Sequence, residues 1–189
     1  MRIITGKAKG IRLVTLEGET TRPTAERVKE AVFSMLQFDI EGRRVLDLFA
    51  GSGQMALEAV SRGAREAVLI DKSREAISVI NKNIAKTKLD DECKVFCMDW
   101  SDYVRRFGSE KFDIVFLDPP YASSHLREAL LRMHEHRVVK DTGIVVCESE
   151  NEELFSVSGD LEGKYEIIKQ NGYGRVKIAL LRPIFSEEE

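Results

Sequence analysis

The chain has 189 residues, 43% of them hydrophobic and 32% charged, and a formal net charge of −3. That is enough apolar material for a sizeable core, in one domain or in two small ones, and the slight acidity excludes a generally basic coat for nucleic acid. Cys93, Cys97 and Cys147 make no disulfide framework and read as reduced core thiols. No apolar run is long enough to span a membrane and Met1-Arg2-Ile3-Ile4 lacks a signal-peptide core, so the expected location is the cytoplasm.

Arg2 to Thr5 and Ile11 to Val14 are short β-prone runs. Gly6-Lys7-Ala8-Lys9-Gly10 between them signals a hairpin turn. Lys7, Lys9 and Arg12 cluster there, and no acidic residue occurs in the first sixteen positions. Such a cluster is either a phosphate-contacting arm or an ordinary solvated hairpin, and the stretch alone favours neither. Residues 1–20 form this extension, and 21–189 the main domain. Next, Thr24 suits a helix N-cap, with no capping box because Arg27 stands where Glu is preferred. Val28, Val32, Met35 and Leu36, with Ala31 and Phe33 nearby, give a broad apolar helix face. Arg22 and Arg27 are surface charges or, on the sharper reading, flank an extended Arg22-Pro23-Thr24 segment beside a ligand.

Arg44 to Leu48 reads as a buried strand that runs into Phe49-Ala50-Gly51-Ser52-Gly53. A helix follows from about Met55 to Arg62, with Gly63 as its C-cap. Strand, glycine turn and helix N-terminus together make a nucleotide-cofactor site. Gly51 and Gly53 let the backbone turn sharply and approach a ligand. The run Gly51 to Ala56 also satisfies the dinucleotide fingerprint G-x-G-x-x-[GA], with Asp71 at the expected distance. Asp47 argues against NAD, because a carboxylate beside the turn repels a pyrophosphate. It suits the ammonium and sulfonium of S-adenosylmethionine (SAM). The plainer reading is that Asp47 only ties down loop N–H groups.

Glu66 to Ile70 is a second buried strand that ends at Asp71, whose carboxylate can accept from two ribose hydroxyls. Arg74 to Lys86 is a helix with Ala76, Ile77, Ile80 and Ile84 on one face. Cys93 to Cys97 is a third strand, followed by Met98-Asp99-Trp100. Asp99 can accept from an adenine amine, and Trp100 reads as core rather than as a stacking ring. Phe112 to Leu117 is a fourth strand that leads into Asp118-Pro119-Pro120-Tyr121. Two prolines end a sheet ladder and fix an extended turn with outward carbonyls. Asp118 and the Pro119 carbonyl can both accept from one exocyclic NH₂, and Tyr121 offers a face on which a base can stack. The plainer alternative is a strand-ending turn with a buried Tyr.

Leu126 to Glu135 is a helix and Gly143 to Glu148 a fifth strand. Tyr165 to Lys169 and Arg175 to Leu181 are β-rich, with a hairpin turn at Asn171-Gly172-Tyr173-Gly174. The pattern predicts an α/β protein with a mixed seven-stranded sheet, helices on both faces and antiparallel last strands. His125, His134 and His136 with Cys93 and Cys97 make no metal site. His134 and His136 are two apart and do not share a helix face.

Several of these motifs match one family over nearly the whole chain. They are Arg2-Ile3-Ile4 with Gly6 and Gly10; Thr21-Arg22-Pro23-Thr24 with Arg27-Val28-Lys29-Glu30; Asp47 to Gly53 with Glu58-Ala59; Ser61 to Ala64; and Asp118 to Tyr121. The chain resembles the RsmD family, bacterial 16S rRNA guanine-N2-methyltransferases with the Rossmann-like class I SAM-dependent methyltransferase fold. It departs from the family pattern at Thr5, where Gly is usual, and Ser34, where Asn is usual. The resemblance implies methyl transfer from SAM to a guanine 2-amino group in the small ribosomal subunit, by a monomer without a metal. It implies cofactor contacts at Thr24, Asp47, Phe49, Ala50, Gly51, Ser52, Gly53, Asp71, Lys72, Asp99, Trp100 and Asp118. Catalysis falls to Asp118, Pro119, Pro120 and Tyr121, and RNA contacts to Arg2, Lys7, Lys9, Arg12, Arg22 and Arg27. Competing expectations are an adenine-N6 methyltransferase on DNA or RNA, an NAD-binding oxidoreductase, and a catalytically silent RNA-binding module.

Overall fold

The computed structural model describes residues 1–16, 23–120, 124–150 and 157–185, with only the backbone of 23–25. Seven strands form one mixed sheet, in the spatial order Cys93–Cys97, Glu66–Asp71, Arg44–Asp47, Phe112–Leu117, Val139–Ser149, Val176–Pro183 and Tyr165–Tyr173. The chain divides into two compact units, Met1–Trp100 and Ser101–Glu189.

In the first unit, α1 (Pro23–Met35) buries Val28, Val32 and Phe33. Then β1 (Arg44–Asp47), α2 (Gln54–Ser61), β2 (Glu66–Asp71), α3 (Arg74–Thr87) and β3 (Cys93–Cys97) alternate. The strands are parallel, and their registers place Asp47 beside Leu69 and Asp71 beside Cys97. Apolar runs buried on both faces, such as Ala67 to Ile70, are what parallel strands with helical crossovers require. Ser73 caps α3 by accepting from the Ala76 N–H at 3.3 Å. The N-terminal arm is a minimal hairpin with one antiparallel bridge, Arg2 to Arg12. Main-chain bonds from Ile3 N–H to Ile11 O (3.0 Å) and Gly10 N–H to Ile3 O (2.8 Å) close it.

The second unit opens within α4 (Trp100–Phe107), a helix absent from the expectations above. It holds β4 (Phe112–Leu117), α5 (His125–Glu135), β5 (Val139–Ser149), β6 (Tyr165–Tyr173) and β7 (Val176–Pro183). β5 is parallel to β4, and β7 is antiparallel to both β5 and β6. The β6–β7 turn lies later than expected. Gly172 still pairs with Lys177, and the chain reverses at Gly174-Arg175, where Gly174 has φ +67°. A glycine tolerates that left-handed conformation, so it sets the turn position. β5 also starts earlier than expected, at Val139, where an irregular register against Phe112 carries the charged Lys140 and Asp141 through the strand. Among the described residues, no helix is long and apolar enough to cross a membrane.

Candidate functional site

The glycine turn is held from beneath by two carboxylates at the ends of adjacent parallel strands. Asp47 is 3% exposed, and the backbone N–H groups of Phe49 and Ala56 bond to it. Burial pushes its carboxyl up to about 7, and the nearby Asp71 charge adds to the shift. Asp47 therefore does tie down loop N–H groups, and it is also a poorly solvated acid that a nearby cation would favour in its ionised form. Asp71 is half-buried; its Oδ2 accepts from the Gly51 N–H at 3.0 Å and its Oδ1 from the Ser73 N–H at 2.8 Å. Each carboxylate oxygen has a second lone pair left for a ligand hydroxyl.

The Ala50 N–H bonds to Ile70 O at 2.9 Å and the Gly53 N–H to Ala50 O at 2.6 Å, which sets the turn. Gly51 and Gly53 have φ of +53° and +79°. A Cβ on Gly53 would lie 3.1 Å from Leu69 Cδ2 and 3.4 Å from Ile80 Cγ1, so its second constraint is the core beneath it. The N-cap of α2 is Gly53, which has no side chain to cap with; Asp47 takes the Ala56 N–H, and the first N–H groups of the helix face the turn. Phe49 is half-buried and Trp100 buried, their ring centroids 6.0 Å apart at 45°. Trp100 thus opens α4 as a core ring. Asp99 is half-buried, Lys72 exposed, Ser52 buried and Ala50 buried.

In the second unit, all six residues of β4 are buried, and the chain emerges at once into an exposed Asp118, a buried Pro119 and an exposed Pro120. Tyr121, Arg22 and the Thr24 side chain lie outside the described residues. Of the basic positions, Arg2, Lys7, Lys9, Arg12 and Arg27 are exposed. Lys7 pairs with Glu92, so one of the three clustered arm cations already has an acidic neighbour.

The sequence reading missed a buried polar clamp behind the turn. Glu58, on α2, has no exposed surface; its Oε2 accepts from the Ile4 N–H at 2.7 Å and its Oε1 from the Thr5 N–H at 3.0 Å. Arg62 Nε reaches Glu58 Oε1 at 2.8 Å, and the Lys29 ammonium lies 3.6 Å from Oε2. Burial holds Lys29 below the usual lysine range, with Glu58 opposing. Lys29 Nζ also donates to Arg2 O at 2.6 Å. Ser61 accepts from the Ala8 N–H and donates to Thr5 O. A Cβ on Gly6, at φ +89°, would meet Ser61 O at 1.7 Å, so only glycine lets the arm lie on α2. Glu58, Ser61 and Gly6 stood in the family motifs, but nothing local in the sequence marks them as partners.

Cys97 is exposed, which corrects its reading as a core thiol; it sits at the end of β3, the edge strand of the sheet. Cys147 is buried, and burial pushes the half-buried Cys93 thiol up to about 12. His134 is structural: its Nε2 lies 2.7 Å from Ile184 O and its ring stacks on Phe185. Among the described residues, no group of three His, Cys, Asp or Glu could hold a metal ion.

The family described as "Conserved hypothetical protein 95" matches residues 1–182. The chain is 33% identical to YlbH of Bacillus subtilis (strain 168), covering 96% of this chain and 98% of that protein. It is 34% identical to Ribosomal RNA small subunit methyltransferase D of Escherichia coli (strain K12), over 80% of this chain and 76% of that one. The solved structure of yhhF from Escherichia coli superposes with a TM-score of 0.84 at 28% identity, covering 98% of this chain and 99% of that chain.

Proposed function

The chain belongs to the RsmD family of methyltransferases, and from that premise we propose that it methylates the exocyclic N2 amine of a guanine in 16S rRNA, of the guanine-966 type, with SAM as donor. The observation that carries the cofactor is the pair of carboxylates at the turn. Asp47 and Asp71 end adjacent parallel strands, and Asp71 holds the Gly51 N–H. Asp71 suits a ribose in either cofactor, and Asp47 makes the distinction: a pyrophosphate at the turn would meet its carboxylate, whereas a sulfonium and an ammonium are complementary to it. SAM supplies an electrophilic methyl group. Asp71 accepts from the ribose hydroxyls, Asp99 from the adenine amine, and the α2 N-terminus and Gly51–Gly53 backbone hold the remainder, with Thr24, Phe49, Ala50, Ser52, Lys72 and Trp100 around it.

Asp118 and the Pro119 carbonyl accept from the target amine and orient its nitrogen, while Tyr121 stacks on the base. Their contribution is positional; neither a metal nor a covalent enzyme intermediate is required. The guanine must be unstacked to reach them. Arg2, Lys7, Lys9, Arg12, Arg22 and Arg27 contact RNA phosphates, and the protein acts as a cytoplasmic monomer on the assembling or assembled small subunit. Titration calorimetry with SAM and with NAD tests the cofactor: SAM binds and NAD does not. NAD binding without SAM binding overturns the reading.

A further inference from the structure

Asn83 lies on α3 with none of its surface exposed. Its Oδ1 accepts from the Val14 N–H at 2.7 Å, and its Nδ2 donates to Val14 O and Ser52 O, both at 2.9 Å. Val14 ends the return strand of the arm, one residue past the Leu13 N–H to Met1 O bond at 3.1 Å. Ser52 is the middle residue of the glycine turn. One buried amide thus joins the arm to the turn. The Asn83 amide and its bond to Ser52 O are closed to water, so a shift of the Ser52 carbonyl must be followed by Asn83, and with it Val14, or leave a buried polar group unpaired. Of the other grips on the arm, Glu58 and Ser61 belong to the body of α2 and Lys29 to α1, and these bypass the turn; the Ser52 hydroxyl adds only a long contact to Met1 Sδ, at 3.7 Å.

Resting on the cofactor reading above, we infer that Asn83 is a positioning residue that couples cofactor binding to the N-terminal arm. A ligand that fixes the Gly51–Gly53 turn fixes Ser52 O, and through Asn83 it fixes Val14 and the arm's exposed cations. The methyl-donor-bound protein then presents a better-ordered arm to RNA. The coupling is reciprocal, so RNA on the arm tightens cofactor binding by the same factor.

Hydrogen exchange of the full-length protein tests this, read at the Ile3, Gly10, Leu13 and Val14 amides without SAM and at saturating SAM. Calorimetry on the same samples establishes occupancy. In the wild type, SAM slows exchange at these amides by about fivefold or more, the lower end of ordinary coupling between sites. Asn83→Asp keeps an acceptor for the Val14 N–H but loses both donated bonds; at saturating SAM its turn is protected and its arm is not. Asn83→Ser tests the same bonds if Asn83→Asp does not fold. Ser61→Ala is the control: its arm exchanges faster in both states, and the SAM-dependent slowing is retained. Arm protection that persists in the Asn83 variants at full occupancy, or is absent from the saturated wild type, overturns the coupling. A wild type that gives no heat with SAM fails the cofactor reading itself, and the coupling with it.

Discussion

Asp71 already serves two backbone N–H groups, from Gly51 and Ser73, and in the proposed function it serves two ribose hydroxyls as well. Asp71→Ala therefore weakens SAM binding by about 1.5–3 kcal/mol, the range for a hydrogen bond to a charged group, measured by calorimetry. Unchanged affinity removes Asp71 from the site. Asp47 gives a pH signature. Its carboxyl is raised to about 7, so between the ordinary carboxylate value and 7 the folded state binds more protons than the unfolded one. Its contribution to stability is therefore greatest in acid and falls as pH rises toward 7. A cationic ligand reverses the preference by favouring the ionised acid. SAM affinity should then rise with pH from about 5.5 to 7, by up to about tenfold per unit for one linked proton. A flat profile separates Asp47 from the cofactor charge. Asp118 follows the last residue of a buried strand and is exposed, so Asp118→Ala should abolish most transfer while the fold and most SAM affinity survive. Tyr121→Phe should keep activity and Tyr121→Ala should not, in a filter assay with labelled SAM; equal rates for Tyr121→Ala and wild type remove the stacking role.

At the scale of elements, the arm, α1 and α2 are joined by charges that are almost wholly buried: Lys29 is 1% and Glu58 0% exposed. Removing one partner strands the other, so Glu58→Ala should cost about 3–5 kcal/mol of stability. Urea titration measures it; a loss under about 1 kcal/mol, the value of a surface pair, shows that the clamp is solvated. Most elements were legible because their signals are local. β2 and β4 are short apolar runs, and Ser73 stands where a cap belongs. α4 carries its own signal, apolar residues at 100, 103, 104 and 107, which is one helix face, but it is only eight residues long and closely follows a strand end. The clamp was not legible, because Lys29, Glu58, Ser61 and Asn83 look like solvent-facing helix residues until distant chain segments bury them. The place of Asp47 and Asp71 at strand ends was readable, since each closes a short apolar run. That Asp47 is buried deeply enough to shift its titration was not, since burial depends on the layers above it.

At the scale of the whole molecule, the charge balance bears on the substrate. The net charge is −3, and Lys7 in the basic arm is paired with Glu92. Few phosphate contacts give modest affinity and a shallow salt dependence. Under the proposed function, recognition would then draw on the shape around the target guanine, as a folded ribosomal particle presents it. Unmethylated small subunits should be better substrates than an equal amount of deproteinised 16S rRNA. Replacing Lys7, Lys9 and Arg12 together with Ala should reduce activity on particles and leave SAM binding unchanged. Equal rates on naked RNA and particle would show that presentation is unnecessary.

The central claim concerns which atom receives the methyl group. Nucleoside mass spectrometry of 16S rRNA from cells with and without the gene tests it most directly, with purified protein and SAM added back to the deficient particles. The account predicts that N2-methylguanosine falls in the deletion and returns on adding the protein. Loss of N6-methyladenosine instead, or no change in any methylated nucleoside, would contradict it.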